Sequence, residues 1–336
     1  MASLLIGNIL LVAIAAASPM YTRAALQRML TRTMSDAAEE TGRYPTTAYL
    51  YSSSMAGHDK LEADVAAVAQ LPERLGVEPM LVLRNRFISN VNLMPELVRE
   101  NGKSMTARVG ALQNLDAHIE IVSGSLYASE PDADGVVDAI VSEKALVKLG
   151  LMQGEILDTD TITAADGTPL RIRIAGVFRA GALETKEDAQ FWYRAPSAYD
   201  DELFLAETVF DTAISEESRR AEERSVWYYI FDYNGLTVDN CAAVAAASEA
   251  LTTEYKDGYY HSYTDYFTGL IESYQVEAAR VAATLRILQV PIYVLLFAFI
   301  FMVSRQMLET EAAEIAVIKS RGASRRQLIE IYALQS

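Results

Sequence analysis

Residues 287–303 read ILQVPIYVLLFAFIFMV, with Arg286 before them and Arg305 after them. No charge interrupts the run. A helix needs about 20 mostly apolar residues to cross a hydrocarbon core about 30 Å thick, so this stretch predicts a transmembrane helix. Pro291 is tolerated inside such a helix and predicts a kink. Gln289 falls near one end, where a polar side chain reaches the interface.

Upstream, residues 267–286 carry Leu270, Ile271, Tyr274, Ala278, Val281 and Leu285 at three-to-four spacing, the period of an amphipathic helix. The other end of the chain mirrors this arrangement. Residues 4–20, LLIGNILLVAIAAASPM, are apolar, with no charge until Arg23. Three readings stand for this run: a membrane span, a secretory signal peptide with a small-residue cleavage region, or a buried core helix. A signal peptide normally begins with basic residues, and none precedes Leu4. A second amphipathic pattern, with Leu26, Met29, Leu30 and Thr33, continues straight from the run. The span is the preferred reading. Two amphipathic helices need partners for their apolar faces, and each is the natural partner of the other. They predict a two-helix stalk over residues 21–36 and 267–286, with spans over 1–20 and 287–303.

Charge sets the orientation. Arg305, Lys319, Arg321, Arg325 and Arg326 follow the second run within one short tail. The positive-inside rule places that tail in the cytoplasm. With two spans, the intervening residues then lie outside, on a multi-pass protein of the cell membrane. The 336-residue chain carries 29 basic and 45 acidic residues, of which the tail holds five and four. The acidic excess therefore belongs to the outer domain, residues 37–266. A net charge of −16 argues against nucleic-acid binding, which needs Lys/Arg patches. Cys241 is the lone cysteine, so no internal disulfide and no cysteine-based metal site can form.

The body reads as a mixed α+β domain. Strands are predicted over residues 46–52, 79–88, 105–112, 118–123, 155–163, 170–178, 202–210 and 225–233. The Asp166-Gly167 pair marks a hairpin turn between two of them, and Gly124 a turn after another. Helices are predicted over 59–71, ended by Pro72, and over 239–255. Ser142 caps a short helix that stops at Gly150.

The motifs of common chemistry are missing. There is no G-x-x-x-x-G-K-[ST] loop, no G-x-S-x-G elbow and no H-E-x-x-H helix. His58, His118 and His261 lie far apart in sequence and read as lone surface histidines. In the stretch 130–135, EPDADG, a calcium loop starting at Glu130 would need a carboxylate at Val141, so the stretch reads as a solvated turn. No metal and no cofactor is predicted. Aromatic residues cluster at 191–193, at 227–229 and along 255–266, YKDGYYHSYTDY. For the first, a contact surface and core packing both stand; the strand at Trp227 favours core for the second. In the third, Tyr255, Tyr259, Tyr260, Tyr263 and Tyr266 form a candidate surface for lipid, peptide or a partner protein. Strand packing is the alternative reading of the same residues.

The tail carries the most specific pattern. Glu314-Ile315-Ala316-Val317-Ile318 is followed by Ser320, by Gly322-Ala323-Ser324 and by Gln327-Leu328. Residues 312–320 predict a short helix, Gly322 a break, and Ser324 the cap of a second helix. An ordinary juxtamembrane amphipathic helix is the plain alternative. This pattern resembles the segment after the second membrane helix in the FtsX/MacB family of ABC transporter permeases. A weaker resemblance to that family's extracytoplasmic domain covers residues 140–155 and 174–178, IAGVF in the latter.

The resemblance implies a MacB-like extracytoplasmic α+β domain on a stalk, and a non-enzymatic permease subunit. ATP hydrolysis would then sit in a separate ATPase subunit. Glu314, Ile315, Ala316, Val317, Ser320, Gly322, Ala323, Ser324 and Gln327 would contact that ATPase, within a coupling segment over residues 304–336. It also implies a second permease copy or half, the lipid bilayer as surroundings, and lipid, lipoprotein or peptide-like substrates. Members of the family carry at least four spans, so the expectation is that this chain is the front portion of a longer subunit. A membrane-tethered sensor whose outer domain binds a ligand or partner protein is the competing expectation.

Overall fold

A computed structural model describes residues 2–41, 44–95, 105–181, 190–192, 198–256 and 259–320, together with 322, 324 and 326. Two compact units divide the chain: Thr31–Glu272, and Met1–Leu30 with Ser273–Ser336. In chain order the strands are β1 (Thr47–Ser53), β2 (Pro79–Pro95), β3 (Met105–Leu112), β4 (Ile119–Gly124), β5 (Val136–Ser142), β6 (Ile156–Thr163), β7 (Pro169–Ala180), β8 (Glu202–Phe204), β9 (Glu223–Phe231) and β10 (His261–Asp265). The helices are α1 (Ala2–Thr41), α2 (His58–Val68), α3 (Leu71–Leu75), α4 (Glu143–Leu149), α5 (Glu207–Thr212), α6 (Glu216–Glu222), α7 (Cys241–Glu254) and α8 (Thr268–Ser320).

The unit Thr31–Glu272 is built on a split β-α-β pattern. β1, β2, β9 and β10 form an antiparallel sheet in the order β10-β1-β9-β2. Helices α2 and α3 join the first pair, and α7 joins β9 to β10. This is the ferredoxin-like βαββαβ arrangement, with a long insertion between its second and third strands. Side chains alternate across it as strand geometry requires. Leu50 lies opposite both Trp227 and Tyr263, and Ala48 opposite Tyr229, so these five share the helix-covered face. There the Tyr229 hydroxyl donates to the Val68 carbonyl at 2.7 Å and ties α2 to β9. On the opposite face Leu83 and Tyr228 join a buried cluster with Phe178, Phe204, Trp192 and Tyr199.

The insertion closes on itself. From β2 the hydrogen-bonded neighbours run β3, β8, β5, β7 and β6, and β6 returns to the end of β2. The β3–β8 and β5–β7 pairs are parallel, and the other four are antiparallel. The result is a ring of six strands with a continuous apolar interior of Val91, Leu93, Val109, Ala139, Val141, Leu157, Ile172, Ile174 and Leu203. Alanines at Ala107, Ala111 and Ala139 keep this interior narrow enough to fill without a void. β4 lies outside the ring, on the far half of β7.

A charged junction joins ring and sheet. Arg86 on β2 holds Glu223 on β9 at 2.9 Å and Asp211 on α5 at 2.5 Å, with its guanidinium 4.7 Å above the Phe210 ring. Neighbouring Arg84 stacks 4.9 Å over Trp227, and burial there pulls its guanidinium down to about 10.

Several sequence expectations hold. The Ser142 hydroxyl accepts from the Ala145 amide at 3.0 Å, and Gly150 ends α4 with φ 63°. The Asp166 carboxylate accepts from the Thr168 amide at 2.9 Å beside Gly167, φ 84°. Others need correction. The predicted strand over 202–210 stops at Phe204, and α5 follows. Ala206, Val209, Phe210 and Ala213 are all buried and recur at helical spacing, which outweighs the apolar run that suggested a strand. Pro72 does not end the helix before it: α2 stops at Val68, and Pro72 sits in the first turn of α3, where a missing N–H costs nothing.

The second unit is helical. The run over 4–20 lies within α1, which carries Pro19, and most of its side chains fall outside the described residues. Among the described residues one helix, Thr268–Gln306, is long and apolar enough to cross a membrane, and none of its apolar window is buried. Ile287, Leu295, Phe297, Phe301 and Met302 are all exposed. From residue 271 on, the less exposed described positions of α8 repeat at 271, 274, 278, 281–282, 285, 289, 293, 296, 300 and 303–304, a single stripe along the helix. Pro291 sits inside α8 without ending it.

Candidate functional site

The tail pattern rides on α8. The predicted separate helix over 312–320 is instead the last turns of that same helix, which runs through Ser320. Glu314 and Ile315 belong to it, and their side chains lie outside the described residues. Ala316 and Val317 are exposed, and the Ser320 hydroxyl turns back to the Val317 carbonyl at 2.8 Å. Gly322 takes φ 93°, the left-handed conformation that stops helices and that side chains disfavour. Ser324 is exposed, while Ala323 and Gln327 lie outside the described residues. An exposed helix end followed by a left-handed glycine can present a short rigid knob to another protein.

The tyrosine surface expected over 255–266 divides. Within it, His261–Asp265 is the edge strand β10. Alternation along it turns Tyr263 into the core, 2% exposed, where its hydroxyl lies 2.9 Å from Ser248. Burial pushes the Tyr263 phenol well above its usual range. Tyr255 is buried as well, its ring 4.4 Å from that of His261. These two are therefore core residues and not surface contacts. Tyr259, 73% exposed, packs edge-on against Tyr260 at 4.5 Å, and Tyr266 is also exposed.

Tyr266 lines a cleft of about 290 Å³ with Ala37, Thr41, Tyr44, Pro45 and Leu270. The Tyr44 hydroxyl donates to the Met80 sulfur at 3.5 Å, and burial beside Asp232 pushes this phenol up to about 12. Tyr266, Tyr49 and Tyr228 continue as a row of rings 6.3 and 6.4 Å apart. Among the described residues the cleft's lining carries no charge, and it suits an apolar or aromatic side chain.

Two carboxylates, the buried Asp64 and the half-buried Asp265, hold β10 in place, and both escaped the sequence reading. Asp64 on α2 accepts from the Ser52 hydroxyl at 2.5 Å through one oxygen, and its other oxygen lies 2.9 Å from His261 Nε2. Ser52, Asp64 and His261 are each under 8% exposed, so His261 is not a surface histidine. This is no catalytic triad: serine and histidine both bind the aspartate and not each other. Asp265 closes the other end. It accepts from the amides of Phe267 and Thr268 at 3.0 and 2.6 Å, and from the Ser248 hydroxyl at 2.6 Å, which fixes the first turn of α8. A signal did exist for the first of them. Asp64 shares the apolar helical face of Leu61 and Val68, a position where a solvated carboxylate does not belong.

Elsewhere, Asp132 in the 130–135 stretch is occupied within the turn. It accepts from the amides of Asp134 and Val136 and pairs with Arg173 at 2.9 Å. Those hydrogen bonds, led by the Val136 amide, hold its carboxyl below the usual range. His118 stacks on Phe191 at 4.0 Å, and the Trp192 indole donates to the His118 carbonyl at 3.3 Å. The aromatic group at 227–229 is core, as expected; Phe191 and Trp192 are core as well, and Tyr193 lies outside the described residues.

No family model and no curated protein sequence matches the chain. Eight solved chains do. One is a crystallised domain named as part of a permease protein from Porphyromonas gingivalis, 16% identical, covering 66% of this chain and 89% of that one with a TM-score of 0.31. At that level of superposition the likeness carries no weight for function.

Proposed function

We propose that this chain is the permease part of an ABC transporter of the FtsX/MacB type. It serves a separate ATPase, and its acidic domain works on the extracytoplasmic side. The carrying observation is that one helix, α8, bears both the apolar run and the pattern over 314–320, and that the left-handed Gly322 follows at once. A coupling element needs that combination: an exposed end, a rigid connection into the bilayer, and a sharp stop that aims the following residues. Exported or extracted lipid, lipoprotein or peptide-like molecules would meet the outer domain, and a second permease copy would complete the transporter.

The test is a search for an ABC ATPase gene beside this one, and co-purification of the full-length protein with its product. Gly322→Trp with Ala323→Glu is expected to lower complex recovery and ATPase stimulation by at least about tenfold, the loss of a few kcal/mol at a central contact. Unchanged recovery and rate would sink the coupling role.

One observation favours the sensor reading. The tyrosine cleft and the exposed Tyr259, packed against the half-buried Tyr260, are suited to holding a small apolar group or peptide side chain. A histidine kinase gene beside this one, in place of an ATPase gene, would support that reading.

A further inference from the structure

Charge is distributed unevenly in a way that spans and stalk do not require. The segment Thr31–Glu272 holds 20 basic and 40 acidic residues. The helical stretches 20–30 and 273–286, by contrast, hold four arginines and the single acid Glu277. All four, Arg23, Arg28, Arg280 and Arg286, are exposed. Arg280 pairs with Glu277 at 2.6 Å, whereas Arg28 and Arg286 make no ion pair among the described residues.

Their spacing is regular with respect to the apolar runs. Arg286 immediately precedes residue 287, and Arg23 follows residue 20 by three positions. Arg280 and Arg28 lie six and five residues farther out, about 8–9 Å at 1.5 Å per residue. The headgroup layer on each side of a bilayer is about 5–8 Å thick, so two tiers at this separation bracket it. Guanidinium groups bind phosphate oxygens in a bidentate fork, which an ammonium cannot do, and all four positions are arginine rather than lysine. Four cations on the outer flank also oppose the positive-inside bias, a cost that calls for a compensating contact.

We infer that Arg23, Arg28, Arg280 and Arg286 form a basic collar that binds the phosphates of anionic lipid headgroups on the extracytoplasmic side. The inference rests on the membrane reading proposed above. The collar sets the depth of the helices and holds anionic lipid near a domain whose own charge would repel it. The same groups give the chain a preference among lipids that the apolar runs cannot supply.

The test uses the full chain in detergent micelles, offered equal amounts of phosphatidylglycerol and phosphatidylcholine and read by native mass spectrometry. Wild type is expected to retain phosphatidylglycerol over phosphatidylcholine by about tenfold. R23Q/R28Q/R280Q/R286Q is expected to bind the two nearly equally, with unchanged tryptophan fluorescence from Trp192 and Trp227 reporting an intact domain. R305Q/K319Q, on the tail side, is expected to keep the preference.

An unchanged preference in the quadruple variant would overturn the collar. So would its loss in R305Q/K319Q alone, or displacement of phosphatidylglycerol by millimolar inorganic phosphate, which would mark a free-anion site. Release of the wild-type chain from membranes by alkaline carbonate would instead overturn the membrane reading beneath it. Stable insertion without lipid preference fails the collar alone.

Discussion

Asp64→Ala is expected to destabilise the domain by about 3–5 kcal/mol, the range seen when one partner of a buried polar pair is removed. Both oxygens of this carboxylate are engaged, one by the Ser52 hydroxyl and one by the His261 imidazole, and all three side chains are buried. Truncation leaves a hydroxyl and a ring nitrogen in the core with no acceptor, and each such orphan costs about 1–3 kcal/mol. The loss also uncouples three elements at once, because Ser52 sits on β1, Asp64 on α2 and His261 on β10. Asp64→Asn keeps the shape and one acceptor and is expected to cost less than half as much. Thermal unfolding of the full-length protein, followed by near-UV circular dichroism, reads both variants. Equal, small shifts for Ala and Asn would show that the network is ornamental.

Gly176→Ala is the second large effect. A Cβ at Gly176 would overlap the Ser125 carbonyl oxygen and stand 3.3 Å from that of Ser123. Both obstacles are backbone, so no side-chain rotation relieves them. Gly124, its register partner on β4, is equally confined: with φ of 81°, a methyl group there would overlap the Ala175 carbonyl oxygen. Strand β4 can therefore reach β7 only because neither residue carries a side chain. The substitution is expected to cost about 2–4 kcal/mol through forced backbone displacement. Gly235→Ala is the matched control. Nothing lies within 4 Å of its Cβ position, and its φ is not left-handed, so a change within about 0.5 kcal/mol is expected. Similar effects at both positions would contradict the packing account of β4.

These two sites mark where the sequence was readable and where it was not. Local chemistry announced itself. The Ser142 cap, the Gly150 stop, the Asp166-Gly167 turn and the apolar run over 287–303 each depend on neighbours within a few residues, and each stands as expected. The tail break at Gly322 belongs to the same class. Long-range closure did not announce itself. The ring of six strands depends on β6 pairing with the end of β2, Leu93 against Thr159, a contact that nothing local encodes. The clamp on β10 joins residues 197 positions apart. Periodicity could say that residues 255–266 were rich in aromatic side chains, but not that an edge strand would turn Tyr263 inward. Buried polar residues were the weakest point, because a hydrophilic side chain on its own reads as surface.

The proposed function places the acidic domain outside the cytoplasm, on helices whose tail lies inside it. Cys241 is the lone cysteine and is buried, so Cys241→Ala gives a clean background for labelling. Tyr259→Cys and Ser320→Cys then place one thiol at an exposed site of the domain and one at the exposed end of α8. Right-side-out membrane vesicles carrying each variant are treated with a membrane-impermeant maleimide. The expected result is labelling at position 259 in sealed vesicles, and at position 320 only after the vesicles are opened. Labelling of both positions in sealed vesicles, or of position 320 alone, would contradict this arrangement.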